Sequence, residues 1–226
     1  MTHTWSPDGR RLVFSSTRNG AFNLYLKPTS GAGEAKLLLQ TNNTKGPRDW
    51  SRDGRLILFV EQSPETGWDL WVLPLEGDKK PVPYLQTEFA EVMGQFSPDG
   101  RWGAYASNES GRSEIYVQPY PTDGGKWQVS TDGGIQPRWR EDGKELFYLT
   151  GDDRVMAAEI EAGKTFQPGV PQMLFRAPAV NTLLPETMVH FDVSRDGQRF
   201  LIDVAAEESE QSPVTIVLNW QAELGQ

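Results

Sequence analysis

The residues equipped to act on a substrate are few, and they are spread far apart along the chain. His3 and His190 are the only imidazoles, and there is no cysteine, which removes disulfides, zinc–thiolate sites and a thiol nucleophile. Two imidazoles joined by carboxylates such as Asp49 and Asp192 could hold a divalent metal, calcium or zinc, that activates water for ester or phosphoester hydrolysis. The acidic turns at 122–125, 131–134 and 151–154 offer oxygen ligands of the kind calcium prefers, although Asp and Gly in such positions are first of all turn formers. There is no GxSxG nucleophile elbow, and no GxGxxG loop, HRD or DFG, so neither the α/β-hydrolase nor the protein-kinase template is present in this chain.

What gathers these residues is a repeat. Asp-Gly recurs at Asp8-Gly9, Asp53-Gly54, Asp99-Gly100, Asp142-Gly143 and Asp196-Gly197, with glycine spacings of 45, 46, 43 and 54. Four residues before each glycine stands a large or apolar side chain: Trp5, Trp50, Phe96, Trp139 and Val193. Five residues after it stands Phe14, Phe59, Tyr105, Tyr148 or Ile202. Glycine takes φ > 0 at little cost and Asp bonds the local backbone, so each Asp-Gly predicts a tight turn between two short strands. Third strands fit Asn23–Leu26, Asp69–Val72 and Glu114–Val117, with weaker counterparts at Val155–Ala157 and Val214–Val217. Fourth strands fit Lys36–Leu39, Val82–Leu85, Lys126–Val129 and Gln172–Phe175. No segment has the period of a long amphipathic helix.

Four short antiparallel strands per 43 to 54 residues is the period of a β-propeller blade. The expected fold is therefore all-β, a single propeller domain over 1–226 with repeats at about 1–46, 47–92, 93–135, 136–186 and 187–226. Because the chain begins on an innermost strand and has no spare strand to complete blade five, the expectation is either a ring whose last blade has three strands or an open piece of a longer propeller that pairs with a second chain through its edges. Landmark aromatics then fill the space between adjacent blades. First strands line a central channel, which brings together the polar residues one position before each landmark: Thr4, Asp49, Gln95, Arg138 and Asp192. His3, Arg48, Gln136 and His190 lie two or three positions before it. These residues predict a polar ring that either satisfies itself or holds a small polar ligand, a metal ion or a peptide end. If the ring of blades closes, His3 and His190 become neighbours. Among the remaining tryptophans, Trp71 is expected in the core, and Trp68, Trp102 and Trp127 pack under loops or form platforms for a sugar or peptide.

The SPDG-type turns resemble those of TolB-like propellers. The segments YVQPYP (116–121), KWQVSTDGG (126–134), QPRWREDGKELFY (136–148) and VTIVLNW (214–220) are most similar to propellers attached to bacterial serine/threonine kinases. The resemblance implies a protein-binding platform, a sensor domain or a companion of a peptidase, and an extracytoplasmic setting. Met1-Thr-His-Thr-Trp5 does not have the basic and apolar pattern of a signal peptide.

Charge narrows the partners. A formal charge of −9 repels phosphate backbones and anionic lipid, and no run of about 18 apolar residues occurs, so nucleic acid and membrane insertion are disfavoured. A protein or peptide segment, or a small polar ligand, is the expected partner of a non-catalytic interaction propeller; a hydrolase with its site in the channel is the alternative. Unpaired blade edges give a route to a homo-oligomer. The acidic run Glu207–Glu210 reads as a solvated loop.

Overall fold

The computed structural model describes residues 2–31, 33–122, 124–163, 165–177 and 190–203. Within them there is no helix, and 19 strands form a succession of antiparallel sheets. Blade one is β1 (His3–Trp5), β2 (Arg11–Ser16), β3 (Asn23–Pro28) and β4 (Lys36–Leu39), and blade two is β5 (Lys45–Trp50), β6 (Leu56–Ser63), β7 (Gly67–Pro74) and β8 (Val82–Leu85). Blade three is β9 (Glu91–Phe96), β10 (Trp102–Ser107), β11 (Glu114–Pro119) and β12 (Trp127–Gln128). Blade four contains β13 (Ile135–Trp139), β14 (Glu145–Leu149), β15 (Arg154–Ala162), β16 (Phe166–Pro168) and β17 (Gln172–Arg176). Blade five is represented by β18 (Phe191–Val193) and β19 (Phe200–Ile202). Its expected third strand at 214–217, the acidic run at 207–210 and Trp220 lie outside the described residues.

Four of the five Asp-Gly turns are closed in the same way, and in the other Arg140 Nε donates to Asp142 Oδ1 at 2.7 Å. Ser6 Oγ donates to Asp8 Oδ1 at 2.6 Å, and the Arg10 N–H reaches the same oxygen at 3.1 Å. The Ser51–Asp53, Ser97–Asp99 and Ser194–Asp196 pairs repeat the hydroxyl bond at 2.6 Å. The glycine that follows takes φ between 68° and 76° in all five turns, which explains its recurrence.

Successive first strands β1, β5, β9, β13 and β18 lie side by side and make the inner layer. The landmark ring of each blade packs onto the blade before it. Trp50 is buried with Val13 and Leu24 of blade one, and Trp139 joins the cluster containing Trp102 and Phe166. Trp5 departs from the expectation of a core residue. It is 55 % exposed, against 4 % for Trp50, 5 % for Phe96 and 8 % for Trp139, because no blade covers that face among the described residues.

Blade four differs most from the repeat. The segment read as a weak strand at 155–157 is the nine-residue β15, which pairs with β14 and β17 and then runs on to pair with β16. β16 places Phe166 against Trp102, Trp127 and Trp139, with ring centroids at 5.2, 5.6 and 6.2 Å. Trp102 is therefore packed, as are the partly buried Trp68 and Trp127, and none of the three forms a free platform.

Close approach between blades two and three depends on Gly103. A Cβ there would stand 2.8 Å from Cε1 of the buried Tyr84, whose hydroxyl donates to the Gln118 carbonyl at 3.1 Å. Gly103→Val is expected to lower stability by about 2 kcal/mol through overpacking. Thermal unfolding checks it, and an unchanged melting temperature would show that Tyr84 moves freely.

Candidate functional site

Three of the residues expected in a polar ring, Asp49, Gln95 and Gln136, are engaged in joining blades. Asp49 Oδ2 accepts the backbone N–H of Phe96 at 2.8 Å, and Gln95 Oε1 accepts that of Trp139 at 2.8 Å. In both cases a side chain one position before a landmark holds the landmark of the next blade. A β-bulge makes this possible. The register of the first strand shifts between Pro47 and Asp49 in β5, and equivalent shifts occur in β9 and β13. Met93 and Gln136 sit at these bulges with φ of 57° and 55°, unusual for residues other than glycine.

At the fourth seam the pattern changes, because Arg138 has no acceptor to offer. Gln136, fully buried, accepts the His190 N–H at 2.7 Å instead, and the Val193 N–H bonds Asp192 at 2.9 Å. Arg138 Nε lies 3.4 Å from Asp192 Oδ1, and its guanidinium carbon is 5.7 Å from the centroid of the Phe191 ring. Burial draws the Arg138 pKa down, with Asp192 and Asp49 opposing. Burial and the nearby Arg138 lower Arg48 to about 10. Two guanidinium groups, from blades two and four, thus lie near enough to act on one another, with Asp192 and Asp49 acting on Arg138.

Asp49 feels the same desolvation. Burial pushes it up to about 6, although N–H bonds from Phe96 and Trp50 and the charges of Arg138 and Arg52 pull the other way. A small cavity of about 140 Å³ beside it is lined by Gln95, Trp50, Phe96 and Trp139 among others.

The histidines do not share a ligand set among the described residues. His3 is exposed on β1. His190 is buried, and its Nδ1 faces Asp203 Oδ2 at 3.6 Å. No group of three or more His, Cys, Asp or Glu able to hold a metal occurs among the described residues. In the acidic turns, cationic side chains stand where calcium was considered: Asp132 is 2.8 Å from Arg154, and Asp152 pairs with Arg154 and Arg176 at 2.8 and 3.3 Å. Asp123 of the first turn lies outside the described residues.

A larger cavity lies outside the channel. A groove of about 970 Å³ opens between blades three and four on the side of the Asp-Gly turns. One wall carries the turns at 97–101 and 140–145, and the other is the β15–β16 extension that the sequence pattern did not reveal. Arg101 braces this extension, donating to the carbonyls of Ala162 at 3.2 Å and Gly163 at 3.1 Å while paired with Asp99 at 2.7 Å. Arg140 is held between Asp142 and Glu145. Glu159 and Glu161, two apart on β15 and exposed, have no ion pair among the described residues. Alternation along the strand was visible in the sequence only as EIEA, too short to indicate a wall.

The raised Asp49 pKa sets a pH dependence. A carboxyl whose folded pKa lies above its unfolded value contributes stability below the unfolded pKa that is lost as pH rises through the folded one. Asp49→Asn keeps the acceptor and removes the charge, so it is expected to flatten the stability profile between about pH 4 and pH 6. Relative to the parent it should gain up to about 3 kcal/mol at pH 7. Denaturant unfolding across that range checks this, and parallel profiles for the two proteins would refute it.

Comparison with known proteins follows the same lines as the geometry. No protein-family model matches the chain. An uncharacterised protein of Agrobacterium fabrum is 27% identical over 160 residues, covering 65% of this chain and 53% of the relative. The chain thus spans about half the length of the curated relative it matches. A solved structure described as a putative TolB from Agrobacterium tumefaciens superposes with a TM-score of 0.66 at 19% identity, covering 77% of this chain and 64% of that one. TolB from Acinetobacter baumannii gives 0.65 at 16% identity, covering 88% and 47%. An oligogalacturonate lyase from Vibrio parahaemolyticus gives 0.63 at 11% identity, covering 94% and 60%. Strand order, repeated turns and these superpositions agree that the chain has the fold of the TolB-like β-propellers.

Proposed function

We propose that the chain is a non-catalytic interaction propeller that takes an extended, Lys- or Arg-bearing protein segment in the groove between blades three and four. The observation that carries this reading is the groove itself. Its volume of about 970 Å³ is at the upper end of ligand-sized pockets, and its lining has six carboxylates against three cations. Two of the cations, Arg101 and Arg140, are already neutralised by neighbours, which leaves Glu159 and Glu161 to face a partner. The net charge of −9 favours the same partners at longer range. By contrast, Asp49, Gln95 and Gln136 serve the fold, so the channel's contribution is narrower. Arg48 and Arg138 suit an acidic peptide end or another small anionic ligand there.

Similarity to an oligogalacturonate lyase supports keeping an enzymatic reading as the alternative, of which a hydrolase with calcium or zinc in the channel is one form. An extracytoplasmic setting and attachment to a kinase belong to the same set of proposals. Self-association is a further one, supported by Trp5, which presents over half its surface on the uncovered face of blade one.

A lysine-rich extended peptide, followed by fluorescence anisotropy, is expected to bind and to weaken with salt. Replacing Glu159 and Glu161 together by Lys should weaken it at least about tenfold without altering unfolding. Indifference to that change, or turnover in an ester and phosphoester screen, would favour other sites. For self-association, sedimentation of the parent is expected to show a dimer that Trp5→Glu dissociates; a monomer at high concentration would remove the idea.

A further inference from the structure

Blades one, two and three each carry a buried polar anchor at the first residue of the Asn-Leu-Tyr-Leu type of pattern in the third strand. In blade one it is Asn23, fully buried, whose Oδ1 accepts the Thr41 N–H at 3.1 Å and faces Lys45 Nζ at 3.4 Å. Lys45, 1 % exposed, stands five residues before the landmark Trp50 and also bonds Thr41 Oγ1 at 2.6 Å and the Asn43 carbonyl at 2.5 Å. In blade three the anchor is Glu114, which accepts from Arg112 Nε at 2.7 Å, from the Gly133 N–H at 3.0 Å and from Ser130. Its partner position is Gly134, where a Cβ would meet Ser130 Oγ at 2.6 Å. A cation therefore reaches both anchors.

The seam between blades two and three breaks this rule. Its anchor is Asp69, and the position of Lys45 is taken by Glu91, five residues before Phe96. They are 0 % and 2 % exposed. Asp69 Oδ2 accepts from Thr66 Oγ1 at 2.7 Å and from Gln86 Nε2 at 3.4 Å, and one oxygen of Glu91 accepts from the Thr87 hydroxyl. The other oxygens, Asp69 Oδ1 and Glu91 Oε2, are buried without a partner. The charges acting on the pair are themselves acidic, Glu61 on Asp69 and Glu109 on Glu91, and these two already hold Lys45 at 3.5 Å and Lys126 at 2.5 Å. Two carboxylates removed from water with no counter-charge are costly, and two orphaned oxygens mark where the charge belongs.

We propose that Asp69 and Glu91 bind a divalent cation of the calcium class, which does in this seam what the Lys45 ammonium does in the one before it. The chemistry of the set points to a hard ion: carboxylate and hydroxyl oxygens of Asp69, Glu91, Thr66 and Thr87, with no imidazole or sulfur. Calcium tolerates an irregular shell of this kind, whereas magnesium retains its waters. With two carboxylates the site falls below the clusters of three that mark stronger metal centres, so an affinity of roughly 0.1–1 mM is expected.

The whole chain, stripped with chelator, is tested by thermal unfolding and titration calorimetry with calcium alone. At about 5 mM calcium the melting temperature is expected to rise by about 4 °C, with heat consistent with one site. Asp69→Asn and Glu91→Gln should each abolish both signals. The double variant Asp69→Asn with Glu91→Lys recreates the Asn23–Lys45 pairing, and should be as stable as the calcium-loaded parent while ignoring calcium. No response of the parent to calcium would overturn the proposal and leave a shared proton as the neutralising charge. A calcium response that survives in both single variants would overturn it equally, by placing the ion elsewhere.

Discussion

A four-stranded blade has two apolar faces and cannot cover either by itself, so the structure depends on each blade being sandwiched by its neighbours. The landmark ring is where that dependence concentrates. Trp50, Phe96 and Trp139 each reach back onto the preceding sheet, while the polar residue just before two of them, Asp49 or Gln95, reaches forward to the next landmark's backbone. Apolar contact in one direction and a hydrogen bond in the other fix the rotation between blades. Every functional candidate inherits its position from that coupling, since the groove, the channel and the acidic pair all lie at seams.

The division of labour between channel and groove follows. Inner strands lie where donors and acceptors from neighbouring blades are within reach, and buried polar groups there are taken up by the fold. Ligand-sized space is left where a blade departs from the repeat. β15 overshoots its partner, β16 folds back on it, and Phe166 plugs the interior end of the gap so that the outer part stays open as a groove.

Much of this was legible in the sequence. Turn glycines, landmark aromatics and strand runs declared the propeller, because each is a local requirement that recurs in phase. The polar ring was legible as a position, through Asp49, Gln95 and Arg138, but its use was not. Which N–H a side chain meets depends on the bulges at Met93 and Gln136, and neither residue type signals φ > 0. Nor did 160–168 have strand character, so β16 and the wall it builds were invisible. Trp5 reads like Trp50 in sequence; only the coverage of the adjoining face distinguishes them. The pairing of Asp69 with Glu91 needed the register between blades, which no single repeat contains.

The Ser–Asp turns described above are local, yet they behave as a set. The serine hydroxyl is the leading reason that Asp8, Asp53 and Asp196 sit below the ordinary carboxylate pKa, and the Arg140 guanidinium holds Asp142 at about 2. Their contribution is complete above the unfolded value and disappears as pH falls through the folded one. Four of the five turns are held by the same Ser–Asp hydroxyl bond and the turn of blade four substitutes Arg140 for the serine, so each blade carries an acid-sensitive closure at the same end. Acid therefore acts on every blade of the repeat at the equivalent position, whichever donor holds it.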